Sequence, residues 1–226
     1  MNWIVKRVSM RKLISFIITI LLLNPPLTGV TQDEKAAEIL DGLSDLMNSA
    51  PSVKIDFTFI ITDLKDGMTE EIEGNIVMKD NKYRLETMEM VSWFDGSSVY
   101  TYMPDVNELM ISDNAETEDI LSNPVNLFSI YREKFRYRLI GETSQSGKTL
   151  YEVDLHPLDL DQAYHTIKLF IEKDKKSLHS AVVAAKDGSR YTLLVDKFDD
   201  RHDLPDDFFS FTKDDYPGVE VIDMRW

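Results

Sequence analysis

The sequence predicts a mainly β domain with two or three helices, arranged as a barrel or sandwich of short antiparallel strands. Ten or eleven apolar runs of strand length recur at fairly regular spacing along the chain. Clusters of Gly, Asn and Asp separate them, and no strand–helix–strand alternation of a parallel sheet occurs.

The N-terminus is set apart from this pattern. Lys6, Arg7, Arg11 and Lys12 form a positive stretch, and Leu13–Leu23 is an apolar run interrupted only by Ser15 and Thr19. Asn24, Pro25 and Pro26 then break any helix, and small or polar residues follow to Gln32. This order is that of a secretion signal, and the apolar run is far short of the roughly 20 residues a spanning helix needs. Residues 1–31 are therefore expected to be a signal peptide and 32–226 a single domain. Without its four basic residues Lys+Arg falls from 25 to 21 against 40 Asp+Glu, which moves the formal charge from −15 to −19. Such a chain repels phosphate backbones and anionic head groups, so nucleic-acid binding and electrostatic membrane docking are disfavoured.

The first element expected after the signal is a helix. Ala36, Leu40, Leu43 and Met47 recur on one helical face between Asp33 and Asn48, and Pro51 closes it. Next, Val53, Ile55, Phe57, Phe59 and Ile61 alternate with mostly polar neighbours, the period-2 pattern of a strand with one apolar face. Lys65-Asp66-Gly67 marks a hairpin turn before a strand that sets Ile72, Gly74, Ile76 and Met78 on one face. After Asp80-Asn81, Tyr83 and Leu85 share a face, and further runs cover Val91–Phe94, Val99–Met103 and Leu109–Ser112.

The middle of the chain changes character. Ile120, Leu127, Ile130 and Tyr131 have helical spacing, with Asn123-Pro124 splitting the stretch, so a helix is expected from about Pro124. The strand pattern then resumes at Phe135, Tyr137 and Leu139 and continues through Tyr151–Leu155, Ile167–Ile171, Leu178–Ala185 and Tyr191–Phe198. An aromatic tail, Phe208, Phe209 and Phe211, precedes a last alternation through Val219 and Val221.

Catalytic chemistry finds no anchor in these residues. There is no cysteine, so disulfides, thiolate metal sites and Cys nucleophiles are excluded. His156, His165, His179 and His202 show no metal-ligand spacing, and no nucleophile elbow or phosphate loop is present. Asp199, Asp200, Asp203, Asp206 and Asp207 lack the spacing of a calcium loop and read as a solvated acidic turn. No catalytic residue, metal or cofactor is expected.

Several segments together resemble the LolA family of periplasmic outer-membrane lipoprotein carriers. They are Ile55-Asp56-Phe57-Thr58-Phe59, Gly74-Asn75-Ile76-Val77-Met78-Lys79, the hairpin Trp93-Phe94-Asp95-Gly96-Ser97-Ser98-Val99-Tyr100-Thr101-Tyr102, Phe208-Phe209-Ser210-Phe211, and Gly218-Val219-Glu220-Val221-Ile222-Asp223. The resemblance implies an incomplete, strongly curved antiparallel β barrel with a helical lid. It also implies a cavity that shelters lipoprotein acyl chains, an inner-membrane release transporter as donor and an outer-membrane acceptor. An apolar face with Met and aromatic residues is more often filled core than cavity; the resemblance turns the expectation toward a cavity. The residues expected to line it are Leu40, Leu43, Met47, Phe57, Phe59, Ile76, Met78, Tyr83, Leu85, Phe94, Tyr102, Leu127 and Ile130, with other methionines such as Met88 as adaptable wall. In the family an arginine after the second strand ties the lid. The matching turn here is Lys79-Asp80-Asn81, which leaves Arg84 as the lid-gating candidate. No Cys follows the signal, which separates a free carrier from the lipid-anchored acceptor of the same fold. A lipid- or protein-binding sensor of that fold is the alternative reading.

Overall fold

The computed structural model describes residues 32–113, 127–201 and 203–225; the side chains of 32 and 127–130 lie outside the description. Helix α1 spans Gln32–Ser49, and a second helix, α2, spans Leu127–Lys134. Twelve strands follow the predicted runs closely. They are β1 Val53–Asp63, β2 Thr69–Lys79, β3 Lys82–Thr87, β4 Val91–Phe94, β5 Ser98–Met103, β6 Glu108–Asp113, β7 Phe135–Gln145, β8 Lys148–Pro157, β9 Tyr164–Glu172, β10 Leu178–Ala185, β11 Ser189–Asp199 and β12 Glu220–Asp223.

All twelve belong to one open, curled sheet in the order β12-β6-β5-β4-β3-β2-β1-β11-β10-β9-β8-β7. Two meanders, β1–β6 and β7–β11, are thus joined where β1 pairs with β11. Every neighbouring pair is antiparallel except β12, which lies parallel to β6 at the edge. The incomplete, curved antiparallel barrel with helices against it is the fold that the sequence implied. Turn chemistry fixes the hairpins: Asp95 Oδ1 accepts from the amides of Ser97 and Ser98, each at 2.9 Å, and Gly96 between them has φ 98°.

Register divides the sheet into an inner face, against which α1 packs, and an outer face. On the inner face one cluster joins Ala36, Ile39, Leu40 and Leu43 of α1 to Val153, Leu155, Ile167, Leu169 and Ile171. A second, continuous with it through Met47, Leu193 and Val195, contains Val53, Ile55, Phe57, Ile76, Met78, Tyr83 and Phe94.

The outer face of the first meander is covered differently. Trp93, Tyr100 and Tyr102 project there and are capped by Phe211 and Tyr216 of the C-terminal segment, with Tyr102 and Tyr216 ring centres 4.4 Å apart. The expected acidic turn anchors this strap to the β2–β3 turn. Asp206 lies 3.2 Å from Lys79 and 2.8 Å from Lys82, and Lys79 donates to the Leu204 carbonyl at 2.8 Å. The chain then returns to the sheet as β12.

Candidate functional site

The inner face is closed at one end and open at the other. Along β1 the inward side chains go from Val53, Ile55 and Phe57, all buried, to Phe59 and Ile61, which are half-exposed. The strand does not change its pattern over this length; what changes is the cover above it. The end of helix α1 packs over the start of β1 through Met47 and Ala50, and among the described residues the sheet beyond it is only partly covered. Ile72 on β2, Leu85 on β3, Tyr191 and Leu193 on β11 and Val183 on β10 are likewise half-buried. Pairing places them side by side: Phe59 opposes Ile72 and Leu193, and Ile61 opposes Tyr191, which opposes Val183. Phe59 stacks on Tyr191 with ring centres 6.1 Å apart. The result is an apolar strip running on from a packed core.

Most sequence-predicted lining residues come together here. Phe57, Ile76, Met78, Tyr83 and Phe94 form the buried floor, with Phe59 and Leu85 packed against it. Burial raises the Tyr83 phenol above its ordinary value, so it stays neutral. Met47 touches both inner clusters, whereas Leu40 and Leu43 are filled core beneath α1. Leu127 and Ile130 belong to α2, but their side chains lie outside the described residues.

Three expectations need correction. Tyr102 faces the outer side: Val99 and Thr101 take the inner positions of β5, so Tyr102 packs on Tyr216 and donates to Asn107 Oδ1 at 3.1 Å. Arg84 is also on the outer face, because Tyr83 and Leu85 flank it on the inner one. Its guanidinium lies 5.7 Å from the Trp93 ring centre and 5.2 Å from that of Phe208, and it pairs with Glu86 at 2.7 Å. Arg84 therefore braces the C-terminal strap and does not reach the helices. Met88 is no wall residue either; it is 92% exposed at the tip of the β3–β4 loop.

The tie between the helices is made by other residues. Tyr131 of α2 donates its hydroxyl to Asp41 of α1, and Arg132 reaches both oxygens of the same carboxylate. Burial works against the Asp41 charge, but the hydrogen bonds from Tyr131 and Arg132 outweigh it and hold the carboxyl below its ordinary value. Burial, reinforced by the Asp41 hydrogen bond, pushes the Tyr131 phenol up to about 12. The helical spacing around Tyr131 was visible in the sequence; its ionic partner 90 residues away was not.

The described side chains of the strip offer desolvation. Among the described residues no cluster of three His, Asp or Glu side chains is placed to hold a metal, and no helix is long and apolar enough to cross a membrane. Its inward side chains are aliphatic and aromatic, so it can take hydrocarbon out of water.

Known proteins bear on the fold and the family. A protein of Thermus thermophilus described as an uncharacterized conserved protein superposes with a TM-score of 0.59 at 16% identity, covering 84% of this chain and 99% of that one. A DUF1329 family protein from Desulfovibrio piger gives 0.50 at 11% identity over 80% of this chain and 98% of its own. A LolA superfamily protein from Nitrosomonas europaea gives 0.43 at 14% identity, covering 78% and 97%. No curated protein matches the sequence. Residues 48–212 match the family described as outer membrane lipoprotein carrier protein LolA, and the chain belongs to that family.

Proposed function

We propose that this chain is a soluble periplasmic carrier that shelters the acyl chains of lipoproteins and moves them from the inner to the outer membrane. The observation that carries this reading is the burial gradient along β1, where an apolar face continues past the end of its cover. Each methylene taken from water gains about 0.8 kcal/mol, so an acyl chain of ordinary length laid on this strip gains on the order of 10 kcal/mol. Half-open burial suits a carrier better than a sealed cavity, because the cargo must also leave.

In this reading Phe59, Leu85 and Leu193 touch the hydrocarbon, while Phe57, Ile76, Met78, Tyr83 and Phe94 form the floor beneath it. Met47 adapts the floor to the length of the chain, and Leu40 and Leu43 fix the closed end. Residues 1–31 act as the removable signal. The donor is an inner-membrane lipoprotein-release transporter and the acceptor an outer-membrane protein, by family resemblance. The work is binding and transfer, with no catalytic step.

The test is extraction. Residues 32–226, which hold every described element and form one compact unit, are incubated with inner-membrane vesicles containing acylated lipoprotein and a competent donor. A soluble one-to-one complex is expected. Lipoprotein that stays in the vesicle pellet rejects the carrier role, even if a fluorescent fatty acid binds the strip.

A further inference from the structure

The exposed apolar residues are not spread evenly over the molecule. In an antiparallel meander alternate turns lie at the same end of the sheet, so the β1–β2, β3–β4, β5–β6, β8–β9 and β10–β11 turns share one rim. Backbone hydrogen bonds stitch neighbours of this rim together. The Leu158 amide donates to Lys134 at 2.8 Å, Lys186 to Ala163 at 2.8 Å, and Leu64 to Gly188 at 3.1 Å. Four of the five turns carry large apolar side chains in water: Leu64 and Met68, Met88, Val106, and Leu158 and Leu160. Met68 is 69% exposed, Leu160 79% and Met88 92%. Among the described residues, no turn at the opposite end carries one.

This is also the end at which, among the described residues, the inner face of β1, β2 and β11 is only partly buried. β1 is buried where it starts and half-exposed as it approaches the β1–β2 turn, and Ile72 and Tyr191 lie near the same end of β2 and β11. Single exposed apolar residues on a surface need no explanation. Six on one rim, against Met224 after β12 as the exposed one near the other among the described residues, and a partly covered apolar strip between them do.

We propose that this rim is a bilayer-contact surface, which sets the mouth of the strip against the periplasm-facing leaflet of the membrane in which the donor or acceptor works. This rests on the carrier reading. The occupant is argued from the spacing of the tips and from charge. The tips sit singly or in pairs on separate loops, with Asp66, Glu89, Asp105, Asp159, Asp161 and Asp187 between them. A protein interface needs a contiguous, complementary patch of roughly 800 Å² on each partner. A fluid bilayer accepts scattered Leu and Met side chains one at a time. The acids make the contact unlike that of a polybasic peripheral protein: it is apolar in origin and opposed by anionic lipid. Such a contact is weak and reversible, as a protein that must leave the membrane requires.

The test is sedimentation of residues 32–226 with vesicles. Partition onto neutral phosphatidylcholine vesicles is expected. It falls on vesicles containing one-third phosphatidylglycerol at low salt and recovers at 0.5 M salt, as the repulsion is screened. Met88→Ser with Leu160→Ser, and separately Leu64→Ser with Met68→Ser, each weaken partition about tenfold. Ile140→Ser with Leu194→Ser, exposed apolar residues on strand bodies away from the rim, leave it unchanged. Fatty-acid probe binding, measured without vesicles, is unaffected by all three pairs and shows that they fold. Absence of partition onto neutral vesicles overturns the proposal, as does partition that the tip variants do not alter. A wild-type chain that binds vesicles but no probe retains the rim and removes the carrier reading.

Discussion

Asp41 is the residue on which the two helices converge, and its environment sets a pH window. Its folded carboxyl lies below the ordinary 3.8, so the stability it contributes is complete above that value and is lost as pH falls through the lower folded one. Tyr131 works in the other direction. Its phenol is raised from 10.0 to about 12, so its contribution is complete below 10 and is lost as pH rises through 12. The Asp41 side chain is 39% exposed, and solvent screening keeps the value of the tie small. Asp41→Ala is expected to cost about 1 kcal/mol, read as a lower urea midpoint at unchanged slope. The gap from wild type stays constant between about pH 4 and 10 and narrows on both sides; a gap that widens in acid refutes the assignment. Gly74 makes a second case at this scale. A Cβ there meets Phe57 Cζ at 2.7 Å and the Glu86 carbonyl at 2.8 Å, because the Phe57 ring lies across β2. Gly74→Ala should cost about 1–3 kcal/mol. Phe57→Leu in the same chain recovers only part of it, since the backbone carbonyl remains; full recovery in thermal melts would place the whole clash on the ring. The sequence made Gly74 legible as an inner-face position. It did not show the crowding, which depends on where a neighbouring strand's ring falls.

Elements were legible where their signal is local. The apolar face of α1, the alternation of β1 and the Asp-Gly turns are each written within a few residues of themselves, and all formed where expected. Tyr102 and Arg84 show where that kind of reading stops. Each turn resets which residues of the next strand point inward, so parity carried across a turn by eye is lost, and both side chains lie on the outer face. The C-terminal strap is a further case. Its aromatic residues were visible as an apolar tail, but the face it covers depends on Trp93, Tyr100 and Tyr102, more than 100 residues earlier. The parallel pairing of β12 with β6 has no local signal either, since it follows from where the strap ends. Phe209 is the fully buried residue of this strap. Phe209→Ala is expected to cost about 3–5 kcal/mol. With Trp226 replaced by Phe in residues 32–226, Trp93 emission should also shift to the red in the folded protein, as the strap loosens over it. Loss of stability with unchanged emission would mean that Phe209 supports the sheet without holding the strap.

For the molecule as a whole the consequence is that one continuous apolar face is covered to two different degrees. Beneath α1 it is packed as tightly as any core: Leu155 and Val153 are 0% exposed, and Leu169 is 1%. Beyond the helix the same face, built by the same alternation, meets water at Phe59, Leu85 and Leu193. Composition and periodicity could not separate these halves, because the difference lies in what covers the sheet. The two halves therefore answer differently to substitution. Leu155→Ala removes buried methyl groups from a closed site and should cost about 2–5 kcal/mol of stability, leaving the affinity for a long-chain fatty-acid probe close to wild type. Leu193→Asn, at a partly buried position packed against both inner clusters, should cost less, about 1–2 kcal/mol. It places an amide with no hydrogen-bonding partner against hydrocarbon whenever the strip is occupied. Leaving such a group unsatisfied costs about 1–3 kcal/mol, so probe affinity should fall roughly five- to a hundredfold. Paired chemical denaturation and probe titration on the two variants check both numbers together. If Leu193→Asn binds the probe as wild type does while Leu155→Ala loses it, hydrocarbon enters the packed half by opening it. The uncovered strip would then be only its doorway.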